Sequence, residues 1–120
     1  MRRSLTRKER LRNGRDIKSL FKTARRAEAG GLKLLFRVNG TAANRMAVVV
    51  AKGCRGAVRR NREKRITREA YRCLKERMVQ GYDFLFIVGR FGASFSERQS
   101  SMAGIFAGAG LCDRADQRRQ

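Results

Sequence analysis

Apolar and polar positions follow two different periods along this chain, and each change of period marks a new element. In "NGRDIKSLFK", Asn13 to Lys22, the apolar residues Ile17, Leu20 and Phe21 recur at i, i+3 and i+4. That spacing predicts one face of a short helix, with Arg15, Lys18 and Lys22 on the other face. "TARRAEAGG" then ends at Gly30-Gly31, a predicted break. "LKLLFRVNG", Leu32 to Gly40, reads as a strand stopped by the turn signal Asn39-Gly40. "RMAVVVAKG", Arg45 to Gly53, has the continuous apolar run of a strand buried on both faces. The turn between these two strands predicts that they pair antiparallel.

A long helix is expected from about Val58 to Gln80, with Gly81 as its stop. "YDFLFIVGR", Tyr82 to Arg90, reads as a third strand. Ser96 is the expected N-cap of a last helix that carries Met102, Ile105, Phe106 and Ala109. Three glycines in the later part of that helix blur its end. The predicted order is helix, strand, strand, helix, strand, helix. The expected class is α+β, with helices packed on a small mixed sheet. Residues 1–12 read as a basic, flexible lead-in, 13–111 as a single domain and 112–120 as a frayed tail.

The long helix contains "RRNREKRITREAYR", in which seven of fourteen residues are Arg or Lys. At about 100° per residue, Ile66, Ala70, Cys73, Leu74 and Met78 fall on one apolar arc. Lys64, Lys75, Arg68, Asn61, Arg72 and Arg65 fall on the far side as a ridge of positive charge, with Arg60 and Arg62 flanking its start. Charge runs are most often solvated helix faces. Such faces usually mix signs at i, i+4, whereas Lys64, Arg68 and Arg72 stack three like charges at that spacing, each pair costing a few tenths of a kcal/mol, roughly. The cations also crowd the helix N-terminus, which the macrodipole disfavours. Phosphates along the ridge would remove both costs.

The whole chain repeats that imbalance. Its 120 residues include 30 Lys or Arg against 10 Asp or Glu, a net charge of +20. Self-repulsion on that scale calls for a polyanion, which makes nucleic acid the expected partner. No apolar run approaches the roughly 18 residues of a membrane span, and the basic start lacks the apolar centre of a secretory signal. Histidine is absent, which excludes Ser-His, Cys-His and His-metal chemistry. The carboxylates include no close pair for acid–base work or for catalytic Mg²⁺. Cys54, Cys73 and Cys112 form neither a disulfide framework nor a metal pair, as expected of a reduced cytoplasmic setting. The chain is therefore expected to act by binding. Arginine suits bidentate phosphate contact, and Asn61 suits a base edge or a 2′-hydroxyl. The aromatic residues outnumber what a small core needs, and one or two are candidates for stacking single-stranded bases.

"VAKGCRGAVRRNREKRITREAYR" resembles the signature of the protein subunit of bacterial ribonuclease P. That pattern runs Val-Ser/Ala-Lys-Lys, a short loop, Ala, then Arg-Asn-Arg-x-Lys-Arg-x-x-Arg-Glu. Arg60, Asn61, Arg62, Lys64, Arg65, Arg68 and Glu69 fall on it without a gap. "RLRNGRDIKSLF" and "GYDFLFIVGR" resemble the first helix and third core strand of that family, so the likeness covers roughly residues 9 to 111. The chain departs from the pattern at Ile17, Leu20, Ala24, Gly53, Arg55-Gly56, Gly89 and Phe91.

The resemblance implies a fold similar to ribosomal protein S5 domain 2, with a left-handed strand–helix–strand crossover. It implies a protein that binds the catalytic RNA of ribonuclease P and the 5′ leader of precursor tRNA. The RNA subunit, with Mg²⁺ that it mainly holds itself, would remove the leader, and no further protein partner is implied. By position, Lys52, Arg60, Asn61, Arg62, Lys64, Arg65, Arg68 and Arg72 are the expected RNA contacts. Phe21 and Phe36 match aromatic positions of a leader-binding cleft. Two other classes share the charge. One is a structural ribosomal-type RNA-binding protein with no role in catalysis. The other is a membrane-surface helix, which requires exposed apolar residues opposite the cations.

Overall fold

The computed structural model describes residues 9–11 and 13–112. Helix α1, Gly14–Thr23, starts at Asn13, whose side-chain oxygen accepts the backbone N–H of Arg15 at 2.9 Å. Strands β1, Arg25–Ala29, and β2, Leu32–Val38, form an antiparallel hairpin with Ala29 opposite Leu32. Its two-residue turn is Gly30-Gly31, with φ of 57° and 79°. Positive φ at both central positions is what a tight hairpin turn demands, and only glycine takes it without strain.

Strand β3, Arg45–Val50, leads into helix α2, Ala57–Leu74. A short 3-10 turn, Lys75–Arg77, precedes strand β4, Tyr82–Val88, and helix α3, Phe95–Ala109, completes the fold. The sheet order is β1-β2-β4-β3. β4 runs antiparallel to β2 and parallel to β3, so β3, α2 and β4 form the central strand–helix–strand unit.

The fold is the expected mixed sheet with packed helices, with four differences in detail. The segment before the glycine pair is a strand, β1. β2 and β3 do not pair, because β4 lies between them. The long helix leaves α geometry at Leu74, and Gly81 is the last residue before β4 rather than a helix stop. The N-cap of α3 is Ser94, not Ser96, in a reciprocal capping box: Ser94 Oγ accepts from the Glu97 N–H, and Glu97 Oε1 accepts from the Ser94 N–H.

Residues 1–8, 12 and 113–120 of the expected lead-in and tail lie outside the described residues, but residues 9–11 and 112 belong to the fold. Leu11 is buried, and its N–H donates to the Met46 carbonyl at 2.8 Å. Glu9 pairs with Lys75 at 3.0 Å. Cys112 makes an antiparallel bridge with Met78.

The sheet divides the core in two. α2 and α3 cover one face, where Leu34, Phe36, Val48, Phe84 and Phe86 meet Tyr71, Met102, Ile105 and Phe106. α1 covers the other, smaller face, where Leu11 and Leu20 meet Leu35 and Leu85. At the start of β3 and β4, Arg45 grips Asp83 with two bonds of 2.8 and 2.7 Å. Asp83 is 1% exposed, and Asn39 also donates to it. The bond to Asp83 drives the Arg45 pKa above its ordinary value. A guanidinium fixed to both carboxylate oxygens holds the two strand ends in register.

Candidate nucleic-acid interface

Helix α2 lays Glu63, Thr67, Ala70 and Tyr71 into the core, with Leu74 packed beside them. The apolar arc expected from its sequence ran instead through Ile66, which is only half-buried and outside the core clusters. The buried face is therefore rotated by roughly 40° from that expectation at 100° per residue. Burial of Glu63 explains the rotation. Its Oε1 accepts Arg98 Nη2 of α3 at 2.9 Å, and its Oε2 accepts the Gly92 N–H at 2.8 Å. Arg98 also donates to Thr67 Oγ1 at 2.9 Å. Both charged groups are within 3% of complete burial.

The rotation leaves the outer face to cations. Arg10, Asn61, Lys64, Arg65, Arg68 and Arg72 line an open groove of about 490 Å³ along α2. Asn61 and Lys64 also line an adjoining groove of about 420 Å³, together with Arg60 and the backbone edge of β3 at Val48 to Val50. Sharing those two residues makes the positive surface continuous from Arg60 to Arg72. Among the described residues, Arg60, Lys64, Arg65 and Arg68 have no carboxylate partner. Glu69 pairs with Arg72 at the far end of the groove, and that bond raises the Arg72 pKa from its ordinary value. The helix start has no side-chain cap and no acidic residue in its first turn, where Arg59 and Arg60 lie.

Six of the expected RNA contacts thus lie on one surface: Arg60, Asn61, Lys64, Arg65, Arg68 and Arg72. Two lie apart. Arg62 leans off the other flank of α2, toward Glu63 and the Ala93 carbonyl. Lys52 is exposed in the loop between β3 and α2. Arg10 joins the groove although sequence reasoning placed it in the lead-in. The backbone bridge between Arg10 and Met46 brings it there, and no local pattern signals that contact.

The expected aromatic cleft does not form from Phe21 and Phe36. Phe36 is 2% exposed in the core beneath α2 and α3, with the Arg25 guanidinium 5.3 Å from its ring centre. Phe21 is 45% exposed on α1, which covers the opposite face of the sheet. The two rings are separated by the strand layer, and Phe36 has no free face on which a base could stack.

The residues of the groove are cationic or neutral apart from Glu69, a poor set for holding Mg²⁺. Among the described residues no three His, Cys, Asp or Glu side chains come together as a metal site. Also among them, no helix is long and apolar enough to cross a membrane. Opposite the cations, Leu74 packs on the core, and Met78 beyond the helix is buried.

Residues 5–109 match the Ribonuclease P family. The ribonuclease P protein component of Desulfotalea psychrophila is 32% identical over 106 residues, covering 86% of this chain and 88% of that one. That of Thermotoga maritima is 38% identical over 84 residues, covering 70% and 72%. The solved ribonuclease P protein of Thermotoga maritima superposes with a TM-score of 0.72 at 30% identity, covering 80% of this chain and 93% of its own. The Staphylococcus aureus protein shares the fold, with a TM-score of 0.76 at 20% identity over 88% and 98%.

Proposed function

The chain belongs to the ribonuclease P protein family, and on that premise we propose that it is the protein subunit that helps this endoribonuclease remove the 5′ leader from precursor tRNA. The observation that carries the reading is the continuous, largely unpaired positive surface from Arg60 to Arg72. Its length and one-sidedness suit a sugar–phosphate backbone, with guanidinium forks on phosphates and Asn61 free for a 2′-hydroxyl or base edge. The chemistry then belongs to the RNA subunit, and Mg²⁺ is held by RNA, since the protein surface repels a cation. The protein contributes by neutralising backbone charge, which lowers the metal concentration that the RNA requires. These partners are those of a cytoplasmic protein.

Reconstitution tests the proposal. The purified chain is added to a ribonuclease P RNA at low Mg²⁺, and precursor-tRNA cleavage is followed. Accelerated removal of the leader is expected. Tight RNA binding without any gain in cleavage would transfer the chain to the structural RNA-binding class.

A further inference from the structure

On the flank of α2 turned away from the groove, a second pocket of about 460 Å³ opens between three segments. That volume lies within the range of ligand clefts, about 300–1,000 Å³. The β3–α2 loop supplies Arg55, the start of α2 supplies Arg59 and Arg62, and the β4–α3 loop supplies Phe91. All four are exposed, and among the described residues Arg55 and Arg59 have no carboxylate partner. Phe91 leaves 36% of its surface outside the core. Gly53 stands beside the ring, and a Cβ there would lie 3.4 Å from Phe91 Cε2. Gly53 is not one of the glycines with positive φ, so its backbone does not require glycine. Its missing side chain leaves the ring uncovered.

The pocket is held rigidly from below. Glu63 accepts the Gly92 N–H, and Arg98 donates to the Arg90 carbonyl at 3.2 Å. The loop is thus fixed to α2 and α3 on both sides of Phe91. Arg62 is drawn to the same carboxylate at 3.5 Å and to the Ala93 carbonyl at 3.4 Å. Arg98 balances the charge of Glu63, so the mouth of the pocket stays positive.

We propose that this pocket holds one unpaired nucleotide of an RNA, with its base against Phe91 in the space left by Gly53 and its phosphate among Arg55, Arg59 and Arg62. The proposal rests on the RNA-binding reading above but uses a different flank of α2. Aromatic rings stack any base, and guanidinium forks take phosphate oxygens in pairs. A duplex has no free base to offer. The nucleotide comes from the RNA subunit or from the precursor leader, and the chemistry is the same for both.

The chain has no tryptophan, so an F91W variant carries a single indole as reporter at the pocket. A short single-stranded oligoribonucleotide should quench its fluorescence saturably at low salt, and a blunt duplex of equal phosphate number should quench it far less. Adding Gly53→Leu to that variant fills the space and removes no cation. It should weaken the single strand by about tenfold while leaving the salt dependence unchanged. Equal unfolding midpoints for the two variants separate this loss from a folding defect.

Equal quenching by duplex, unaltered affinity with Gly53→Leu, or comparable quenching by an acidic aromatic peptide would overturn the proposal. Leader-bearing precursor and the RNA subunit alone, titrated separately, identify the source; a response to neither overturns it. Binding of a ribonuclease P RNA to the same F91W chain keeps two failures apart. Retained RNA binding with a silent indole removes the pocket and leaves the proposed function. Loss of both removes both.

Discussion

Arg98 and Arg65 carry the same guanidinium in opposite circumstances. Arg98 lies in the seam between α2 and α3, 2% exposed, bonded to Glu63, Thr67 and the Arg90 carbonyl. Arg65 lies on the outer face of α2 among other cations, with no carboxylate partner among the described residues. The seam satisfies each charge from within the chain. The outer face leaves its charges open, at the cost of like pairs at i, i+4 and of cations near a helix N-terminus. Glu63 sharpens the contrast. In the sequence it looks like relief for the neighbouring cations, but in the fold it faces inward and answers Arg98. The outer groove keeps Glu69 alone, paired with Arg72. Charges inside the seam serve the fold, and charges outside it await a counter-charge from another molecule.

The largest effect should come from breaking the seam. Arg98→Met leaves Glu63 buried without its cation and should cost about 3–5 kcal/mol in denaturant unfolding. Replacing both as Glu63→Leu with Arg98→Met should recover most of that loss, and a cost below about 1 kcal/mol for Arg98→Met would place the pair outside the core's energetics. Phe36→Ala removes a ring from the same packed layer and should cost a similar 3–5 kcal/mol or so. Because Phe36 is buried, the folded fraction of that variant should treat leader-bearing and leaderless tRNA alike. A selective loss on leader-bearing substrate would instead return Phe36 to the RNA surface.

Ser94→Ala removes the cap of α3 and should cost about 1 kcal/mol, read as a lower unfolding midpoint with unchanged RNA affinity. The smallest effect is in pH. The bonds from Ser94 hold the Glu97 carboxyl below its ordinary range. A lowered native pKa gives stability that is present above the unfolded value and is lost as pH falls through the native one. The difference between wild type and Glu97→Gln, which lacks the carboxylate, should therefore narrow in acid below the usual carboxylate range. A gap that stays constant to low pH would mean that the carboxylate takes no part in the cap.

Much of this contrast is legible in the sequence, because helical periodicity alone separates Lys64, Arg68 and Arg72 from Ala70 and Leu74. The exact facing of α2 is not legible. It depends on Glu63 meeting Arg98, 35 residues away. No local pattern ranks that pair above a solvated glutamate. β1 escapes for a related reason. "RRAEA" has no β-branched or aromatic residue, and the strand exists because the glycine turn folds it onto β2. Its cue was the Gly-Gly pair, which marks a hairpin as readily as a break. The position of β4 between β2 and β3 is set by the α2 connection, whereas the short turn after β2 suggested direct pairing. The Phe21–Phe36 cleft failed because a likeness of positions does not say on which side of a sheet each ring lies.

The most direct test of the open outer face is the salt dependence of RNA binding for the Arg65→Ala, Arg68→Ala double variant, measured beside its unfolding midpoint. If an RNA backbone lies along α2, the slope of log K against log salt should flatten by about one unit per lost phosphate contact, so about two in all. Stability should hold or rise slightly as like charges are removed. An unchanged slope together with a lowered unfolding midpoint would contradict the account, since these arginines would then belong to the fold rather than to a partner.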